Sequence, residues 1–329
     1  MKKIKELGER KLIDIIHDLV LKYWGERPLY DDAVYYQIGP FSYLFFHTDV
    51  LNYSTDYIEG MGFYNFGWKA VISNLSDIVC KGAKPIGMLA SISLPEDMTE
   101  SQFQELIKGI CDALKVNGAR YLGGDLSSSK ELSIAGFVYG RGNRIILRSG
   151  SKEGHFIGVS GKFGLTSLAY KILFEKWEVP EYLKKRALQS VFKPQGRIKE
   201  AMYISDFIVS CMDISDGLAI SLHQLADANN MGIEVNKIPI DEEVLDYCRA
   251  KGIDPLEFAL YHGGEEYELL FTYDPKYESY IKQILFKSNA WFTRLGKFTS
   301  KREGVYFKNK EKKFEIERRG WEHFKYWIR

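Results

Sequence analysis

Four cysteines in 329 residues (Cys80, Cys111, Cys211 and Cys248) form no CxxC pair. That excludes a zinc ribbon and a disulfide framework, and it fits a reducing compartment. No apolar run approaches the roughly 18 residues of a membrane span. Neither sign of charge dominates: 45 Lys+Arg face 44 Asp+Glu, a formal net charge of +1. A phosphate-driven nucleic-acid binder needs a basic excess, so none is expected. The start, Met1-Lys2-Lys3-Ile4-Lys5-Glu6, is basic, but no apolar segment with a small-residue cleavage site follows, so it does not read as a secretory signal. Common nucleotide motifs are missing too. Gly161-Lys162 is followed by Phe163, which breaks the phosphate-loop pattern, and Gly140-Arg141-Gly142 lacks a third glycine and reads as a turn. There is no His-Arg-Asp or Asp-Phe-Gly of a protein kinase and no HExxH among the six histidines. What is left is a cytoplasmic, soluble protein of ordinary composition, long enough for one or two domains, and expected to be an enzyme.

Apolar spacing predicts a helix over 4–24, strands over 33–38 and 41–46, a helix over 66–81 and a strand over 86–94. Thr99 and Gln102 form a capping box that opens the next helix, and Gly118 stops it. Strands follow over 119–122 and 132–139. Residues 140–154, rich in Gly, Ser and Arg, mark the domain boundary, drawn as 1–147 and 148–329. The second half alternates strands (155–160, 207–212, 233–238, 267–272) with helices (from about 164, and 218–229). This order predicts an α+β (mixed α/β) protein of two domains.

A pattern recurs: an apolar strand expected to end in aspartate, at Asp49, Asp125 and Asp213. Asp31-Asp32 precedes another strand, and Asp216 follows Asp213 by three. On a helical wheel Asp77 shares a face with Asn74 and Lys81, away from the seam of Val71, Leu75 and Ile78. One aspartate at a strand end is ordinarily a turn residue or helix cap, and Asp216 stands where it would cap the helix from Leu218. Seven carboxylates at element ends are harder to read that way. Converging, they would repel by about 4 kcal/mol per pair at 4 Å and an effective dielectric of 20, and would demand cations. A hard-oxygen cluster suits Mg²⁺, which prefers a few carboxylates plus phosphate oxygens, so a polyphosphate substrate is implied. Arg148 alone reads equally well as a surface linker arginine, and Trp321 as a hydrophobic anchor near the chain end.

The ordered set Asp31-Asp32-Ala33, Thr48-Asp49, Ser54-Thr55-Asp56, Asn74-Leu75-Ser76-Asp77, Gly82-Ala83-Lys84-Pro85, Gly123-Gly124-Asp125, Leu147-Arg148-Ser149-Gly150, Asp213-Ile214-Ser215-Asp216-Gly217-Leu218, Gly263-Gly264-Glu265-Glu266-Tyr267-Glu268-Leu269 and Gly320-Trp321 resembles the thiamine-monophosphate kinase family. That family shares a superfamily with aminoimidazole ribonucleotide synthetase, selenophosphate synthetase and HypE. The resemblance implies a two-domain fold whose N-terminal sheet joins a partner's in a homodimer, with ATP and several Mg²⁺ in a cleft between the domains. It implies that Asp32, Asp49, Asp77, Asp125, Asp213 and Asp216 hold Mg²⁺, helped by Thr48 and the backbone of His47. Gly124, Asp125, Arg148 and Ser215 would contact ATP, and Asp56, Glu265 and Trp321 the thiamine moiety. It also implies transfer of the γ-phosphoryl group to thiamine monophosphate. The positioning would fall to Asp49, Asp125 and Arg148, with no general base.

The chain departs from the family pattern at Tyr30 (usually Gly), His47 (usually a small hydroxyl residue), Glu266 (usually Asp) and Lys152-Glu153-Gly154-His155 (usually Lys-Pro-Gly-Asp). None of these removes an expected metal carboxylate, so an active enzyme is expected. The rival readings are another ATP-using member of the superfamily, a ring synthetase or HypE-like protein, and a catalytically silent nucleotide binder.

Overall fold

The structure, a computed structural model, describes residues 3–300, 303–322 and 324. Two sheets account for the strands. The first contains β1 (Val34–Gly39), β2 (Ser42–Asn52), β3 (Lys84–Leu94), β4 (Arg120–Ser128) and β5 (Ser133–Gly142), in the order β1-β2-β5-β3-β4. The second contains β6 (Phe156–Ser160), β7 (Ser210–Ile214), β8 (Gly232–Val235), β9 (Glu268–Tyr273), β10 (Phe292–Thr299), β11 (Val305–Lys308) and β12 (Lys313–Glu315), in the order β12-β11-β8-β10-β6-β9-β7. Helices accompany both sheets, so the α+β expectation holds.

The helix Gly62–Cys80 organises the molecule. Fourteen of its 19 residues are buried, because it is covered on nearly every side. One side lies on β2, β3 and β5, another on the helix Glu100–Val116, and a third on β7 and the helix Ile198–Ile204. Two glycines let the long helices touch. A Cβ on Gly67 would lie 2.2 Å from the Leu106 carbonyl oxygen, and one on Gly109 would lie 1.9 Å from that of Tyr64. The Thr99–Gln102 capping box is present as expected. The hydrophobic core around the helix runs from Ala33 in the first half to Phe292 in the second.

The first sheet has one covered and one bare face. Along β3, Pro85, Met88, Ala90 and Ile92 are buried, whereas Ile86, Leu89 and Ser91 are exposed. The strand register extends that bare face. Thr48, Phe137 and Leu89 stand side by side, as do Val50, Ala135, Ser91 and Asp125. The first helix, Glu9–Trp24, also leaves its apolar stripe (Ile15, Ile16, Leu19) exposed and buries no residue.

Two strands run further than the apolar runs predicted. β2 continues through Asp49 to Asn52, and β4 continues through Gly123-Gly124-Asp125 to Ser128. Asp49 and Asp125 are therefore in-strand residues, not strand-end ones. The reason is pairing: β4 residues 123–128 lie in register against β3 residues 89–94, and those neighbours hold a stretch of low intrinsic strand propensity. Only Asp213 sits at the close of its strand, one residue before the end.

Candidate active site

Strand alternation sends His47 and Asp49 toward the central helix and Thr48 to the bare face. From the helix come Asn74, Ser76 and Asp77. Asn74 Oδ1 accepts the backbone N–H of Asp49 at 3.0 Å, which fixes strand against helix. From the second sheet comes Asp213, whose Oδ2 accepts the Ser76 hydroxyl at 2.6 Å. Four separate segments, 31–32, 47–49, 74–81 and 213–216, thus meet where the two halves pack.

Charge divides this meeting point into two parts. In the first, Lys81 reaches Asp31 Oδ1 at 2.6 Å and Asp32 Oδ2 at 2.5 Å, and its ammonium also donates to the carbonyl of Cys211. Arg148 Nε donates to Asp32 Oδ1 at 2.8 Å, and the Arg148 backbone N–H donates to Asp31 Oδ2 at 2.9 Å. Two carboxylates meet two cations, and the part is formally neutral. Burial works to raise the Asp32 pKa, but Arg148 and Lys81 outweigh it and hold the group well below the usual carboxylate range. Tyr30, the departure from the family glycine, lies under the Arg148 guanidinium at 5.9 Å.

The second part holds Asp49, Asp77 and Asp213 and has no such compensation. Burial, then the charges of Asp213, Asp32 and Asp49, push Asp77 well above the carboxylate range. Burial and the Asp32 charge push Asp213 up to about 7, with the Ser76 hydrogen bond and Arg148 opposing. Burial also raises Asp49. Like charges about 5 Å apart repel by roughly 3 kcal/mol at an effective dielectric of 20, so the group retains protons that a free carboxylate would lose.

His47 closes this part. Its Nδ1 lies 2.6 Å from the Asp32 carbonyl oxygen, which only accepts, so Nδ1 carries the hydrogen. Nε2 is then a bare lone pair; it is buried, makes no hydrogen bond and lies 3.3 Å from Asp77 Oδ2. Burial depresses the His47 pKa, with Asp49 opposing, so the ring favours neutrality. An orphaned imidazole nitrogen beside carboxylates of raised proton affinity is a donor set that fits a divalent cation, with the backbone carbonyl fixing the ring in the manner common to metal-bound histidine. Asp32, Cys80 and Asp213 also present atoms within 4.8 Å of one another.

Three further expected residues converge a short way off. Asp56 Oδ2 accepts the Asn52 backbone N–H at 2.7 Å and the Thr55 hydroxyl at 2.6 Å. Glu265 pairs with Lys69 at 2.5 Å and accepts the Tyr170 hydroxyl at 2.7 Å. The backbone N–H of Trp321 donates to the Asp216 carbonyl at 3.0 Å, so the chain's last described stretch crosses the Asp213–Gly217 turn. Ser215 lies in that turn, its carbonyl accepting the Glu265 N–H at 2.6 Å. Asp216 does not cap the following helix, whose N-cap is Gly217 with no side-chain capping bond.

Two expected residues stay apart within the single chain. Thr48 and Asp125 are exposed on the bare face, opposite to Asp49, and among the described residues Asp125 joins no hydrogen bond or ion pair of the cluster. Gly124 is where a glycine is required: φ is +155° and a Cβ would lie 1.8 Å from the Ala90 carbonyl oxygen.

Lys69 and Tyr170 belong to none of the motifs in the sequence, and Lys81 stands out there only as a neighbour of Asp77 on its helix face. A signal existed: Lys69 inside a helix of mostly apolar and small residues, and Lys81 directly after it, must be exposed or paired.

Comparison with known proteins gives a class and then a family. The family model "AIR synthase related protein, N-terminal domain" matches residues 30–141. Solved HypE structures share the fold, with TM-score 0.72 at 18% identity for a HypE–HypF complex. Closer in sequence is the thiamine-monophosphate kinase of Aquifex aeolicus, 31% identical over 98% of this chain and 100% of the relative. That of Pyrococcus horikoshii is 32% identical over 93% of this chain and 94% of the relative. The structure described as "AaThiL complexed with AMPPCP and TMP" matches with TM-score 0.83 and 30% identity, covering 98% of this chain and 99% of that one. The chain belongs to the thiamine-monophosphate kinase family.

The neutral part of the site generates a stability prediction. Lys81→Met leaves Asp31 and Asp32 buried with one cation, and breaking such a pair costs about 3–5 kcal/mol. Urea unfolding at pH 7 reads this directly, and a loss under about 1 kcal/mol would refute the assignment. Because the Asp32 pKa is depressed in the folded state, its contribution is complete above the unfolded value of about 3.9 and fades as pH falls below it. The gap between wild type and variant therefore narrows at pH 3.

Proposed function

We propose that this chain transfers the γ-phosphoryl group of ATP to thiamine monophosphate, giving thiamine diphosphate and ADP. The observation that carries the reading is the uncompensated convergence of Asp49, Asp77 and Asp213 in a chain related over its whole length to kinases of that name. ATP brings about four negative charges and a phosphate monoester about two, since its second pKa is near 6. The acceptor oxygen is already deprotonated, so no side chain need act as general base. The remaining tasks are to bind, align and exclude water.

Asp49, Asp77 and Asp213 would hold Mg²⁺, with the His47 side chain among its ligands and Asp32 and Asp216 at the border. Mg²⁺ when bound supplies neutralisation of the phosphate charge. Arg148 is held by Asp32 with its guanidinium partly exposed, preset to meet a phosphate oxygen. The Gly123-Gly124 backbone would permit close approach of phosphate, and Ser215 lies in the turn that follows β7. Trp321, 42% exposed beside the Asp216 turn, offers a face to the cationic thiazolium, a contact worth about 0.5–2 kcal/mol. The division into a metal- and ATP-binding half, 1–147, and a half completing the site, 148–329, is part of this reading. It is supported by the confinement of each sheet to one side of it. A cytoplasmic setting is supported by the four free thiols.

A homodimer is part of the same reading. The bare face carries Val50, Leu89 and Phe137, an apolar surface of the kind that a second copy covers. It also carries Thr48 and Asp125, the two expected site residues that one chain leaves apart from the cluster. Sedimentation equilibrium is expected to give about twice the 38.0 kDa of the chain. Leu89→Arg is expected to give monomer with lowered turnover, and a wild-type monomer with full activity would sink the dimer.

The reaction is tested by phosphorus NMR with ATP, Mg²⁺ and thiamine monophosphate. The expected result is a thiamine diphosphate signal growing one-to-one with ADP and abolished by EDTA. ADP with free phosphate would point instead to another acceptor, as in the ring synthetases. The metal assignment is tested separately with Mn²⁺ as probe. Pulsed electron paramagnetic resonance of the Mn²⁺ complex should show a directly bound nitrogen that disappears in His47→Ser. Mn²⁺ binding without nitrogen coupling would remove His47 from the ligands.

A further inference from the structure

The central helix carries a second buried cation. Lys69 is 1% exposed, and its ammonium bridges the two carboxylate-bearing segments expected to face the thiamine moiety. It lies 2.5 Å from Glu265 Oε1 and donates to the backbone carbonyl of Asp56 at 3.1 Å. The hydroxyl of Tyr170 holds the other Glu265 oxygen at 2.7 Å. Both oxygens of Glu265 are thus engaged by the protein, one of them by a full positive charge.

Asp56 is placed differently. Its carboxylate accepts only local donors, the Asn52 N–H and the Thr55 hydroxyl, both on Oδ2. Among the described residues no cation pairs with it, since Lys69 meets its backbone and not its carboxylate. The two carboxylates therefore differ in net charge. Lys69 with Glu265 sums to zero, whereas Asp56 keeps its negative charge.

A cation is drawn to a whole charge much more than to a neutral pair, whose field falls off as a dipole. A paired carboxylate still keeps lone pairs for an N–H donor. The backbone adds a reason for the pairing. Glu265 and Tyr267 sit in the left-handed region, with φ of +58° and +50°. Such residues persist only where their surroundings hold them. The Glu265 and Tyr267 backbone N–H groups are tied to Ser215 and Ile214, and Lys69 and Tyr170 tie the Glu265 side chain.

We propose that Lys69 is a positioning residue that divides the work of substrate recognition between the two carboxylates. It neutralises and orients Glu265, which serves as a hydrogen-bond acceptor for the aminopyrimidine, and it leaves Asp56 as the counter-charge to the thiazolium. This rests on the functional reading above and on the expectation that Asp56 and Glu265 face the thiamine moiety, and it goes further, since that expectation gives the two carboxylates no separate roles.

The test compares Lys69→Met, Lys69→Arg, Glu265→Gln and Asp56→Asn in steady-state kinetics, with Mg²⁺–AMPPCP affinity as control. Lys69→Met should raise KM for thiamine monophosphate at least tenfold, with kcat within threefold and AMPPCP affinity unchanged. Lys69→Arg should recover most of the loss. In a Glu265→Gln background, which has no charge to neutralise, Lys69→Met should add little; in Asp56→Asn it should add its full effect. Unchanged KM in Lys69→Met, or equal effects in both backgrounds, overturns the proposal. Should Lys69→Met not fold, ionic strength decides. Asp56→Asn must flatten the salt dependence of thiamine monophosphate binding, and the double variant Lys69→Met/Glu265→Gln, which removes the pair without changing net charge, must not; the reverse overturns the division. Failure of the functional reading looks different, because wild-type protein would then give no thiamine diphosphate at all.

Discussion

A helix covered on nearly all sides has no solvent in which to place a charge, yet Gly62–Cys80 and the residue after it carry Lys69, Asp77 and Lys81. An uncompensated ion in such a place costs several kcal/mol, so each must be answered by a group from another part of the chain. Lys81 is answered by Asp31 and Asp32, and Lys69 by Glu265. Those partners come from the segment before β1 and the turn before β9. Charge pairing therefore sets where both halves of the chain meet the helix, and the site forms at those meeting points. Asp77 is the exception: its neighbours are Asp49 and Asp213, and repulsion raises its affinity for any cation that enters. The same burial that makes pairing compulsory for the lysines makes the remaining carboxylates a receptor.

The sequence made much of this legible, for identifiable reasons. The Thr99 capping box and the helix over 218–229 depend on local signals, and both appear as expected. The central helix is visible in its apolar spacing, though it starts four residues before that spacing predicts, because Gly62-Phe63-Tyr64-Asn65 lacks a capping signal. The apolar runs stop at Asp49 and Asp125, so local pattern alone places strand ends there. Ladder partners carry β2 and β4 onward, and partners are invisible to a local reading. The same blindness hid the face on which each residue falls. A strand displays its residues on alternate sides, so Thr48 and Asp49, adjacent in sequence, belong to opposite surfaces. The register then carries Asp125 to the side of Thr48, away from Asp49.

Lys69 shows what a sequence contains without announcing. It lies in no motif that signals chemistry, and its meaning appears only when Glu265, 196 positions onward, is placed against it. A pairing of that kind has no spacing rule, because nothing local requires it. The feature that could have drawn attention was the misfit of a lysine in a run of apolar and small residues.

Three of the departures from the expected family pattern follow from the same constraint. Each of these puts a larger group where a smaller one is expected, and each finds a use for the excess. Tyr30, in place of glycine, lies against the Arg148 guanidinium and meets His17 edge-on, covering an ion pair that glycine would leave more open. Glu266, longer than aspartate, reaches the Thr166 hydroxyl at 2.7 Å, and burial pushes its pKa up to about 7. Its role is thereby separated from that of Glu265 next to it, which is charged against Lys69. His47 brings a ring whose one nitrogen is spent on the Asp32 carbonyl and whose other faces Asp77 with nothing between them. In all three cases the added atoms fall beside charge that the fold has already buried, where the cost of a misplaced group is highest. Substitution at such positions is tolerable only if the new side chain takes part in the electrostatics, and these three do.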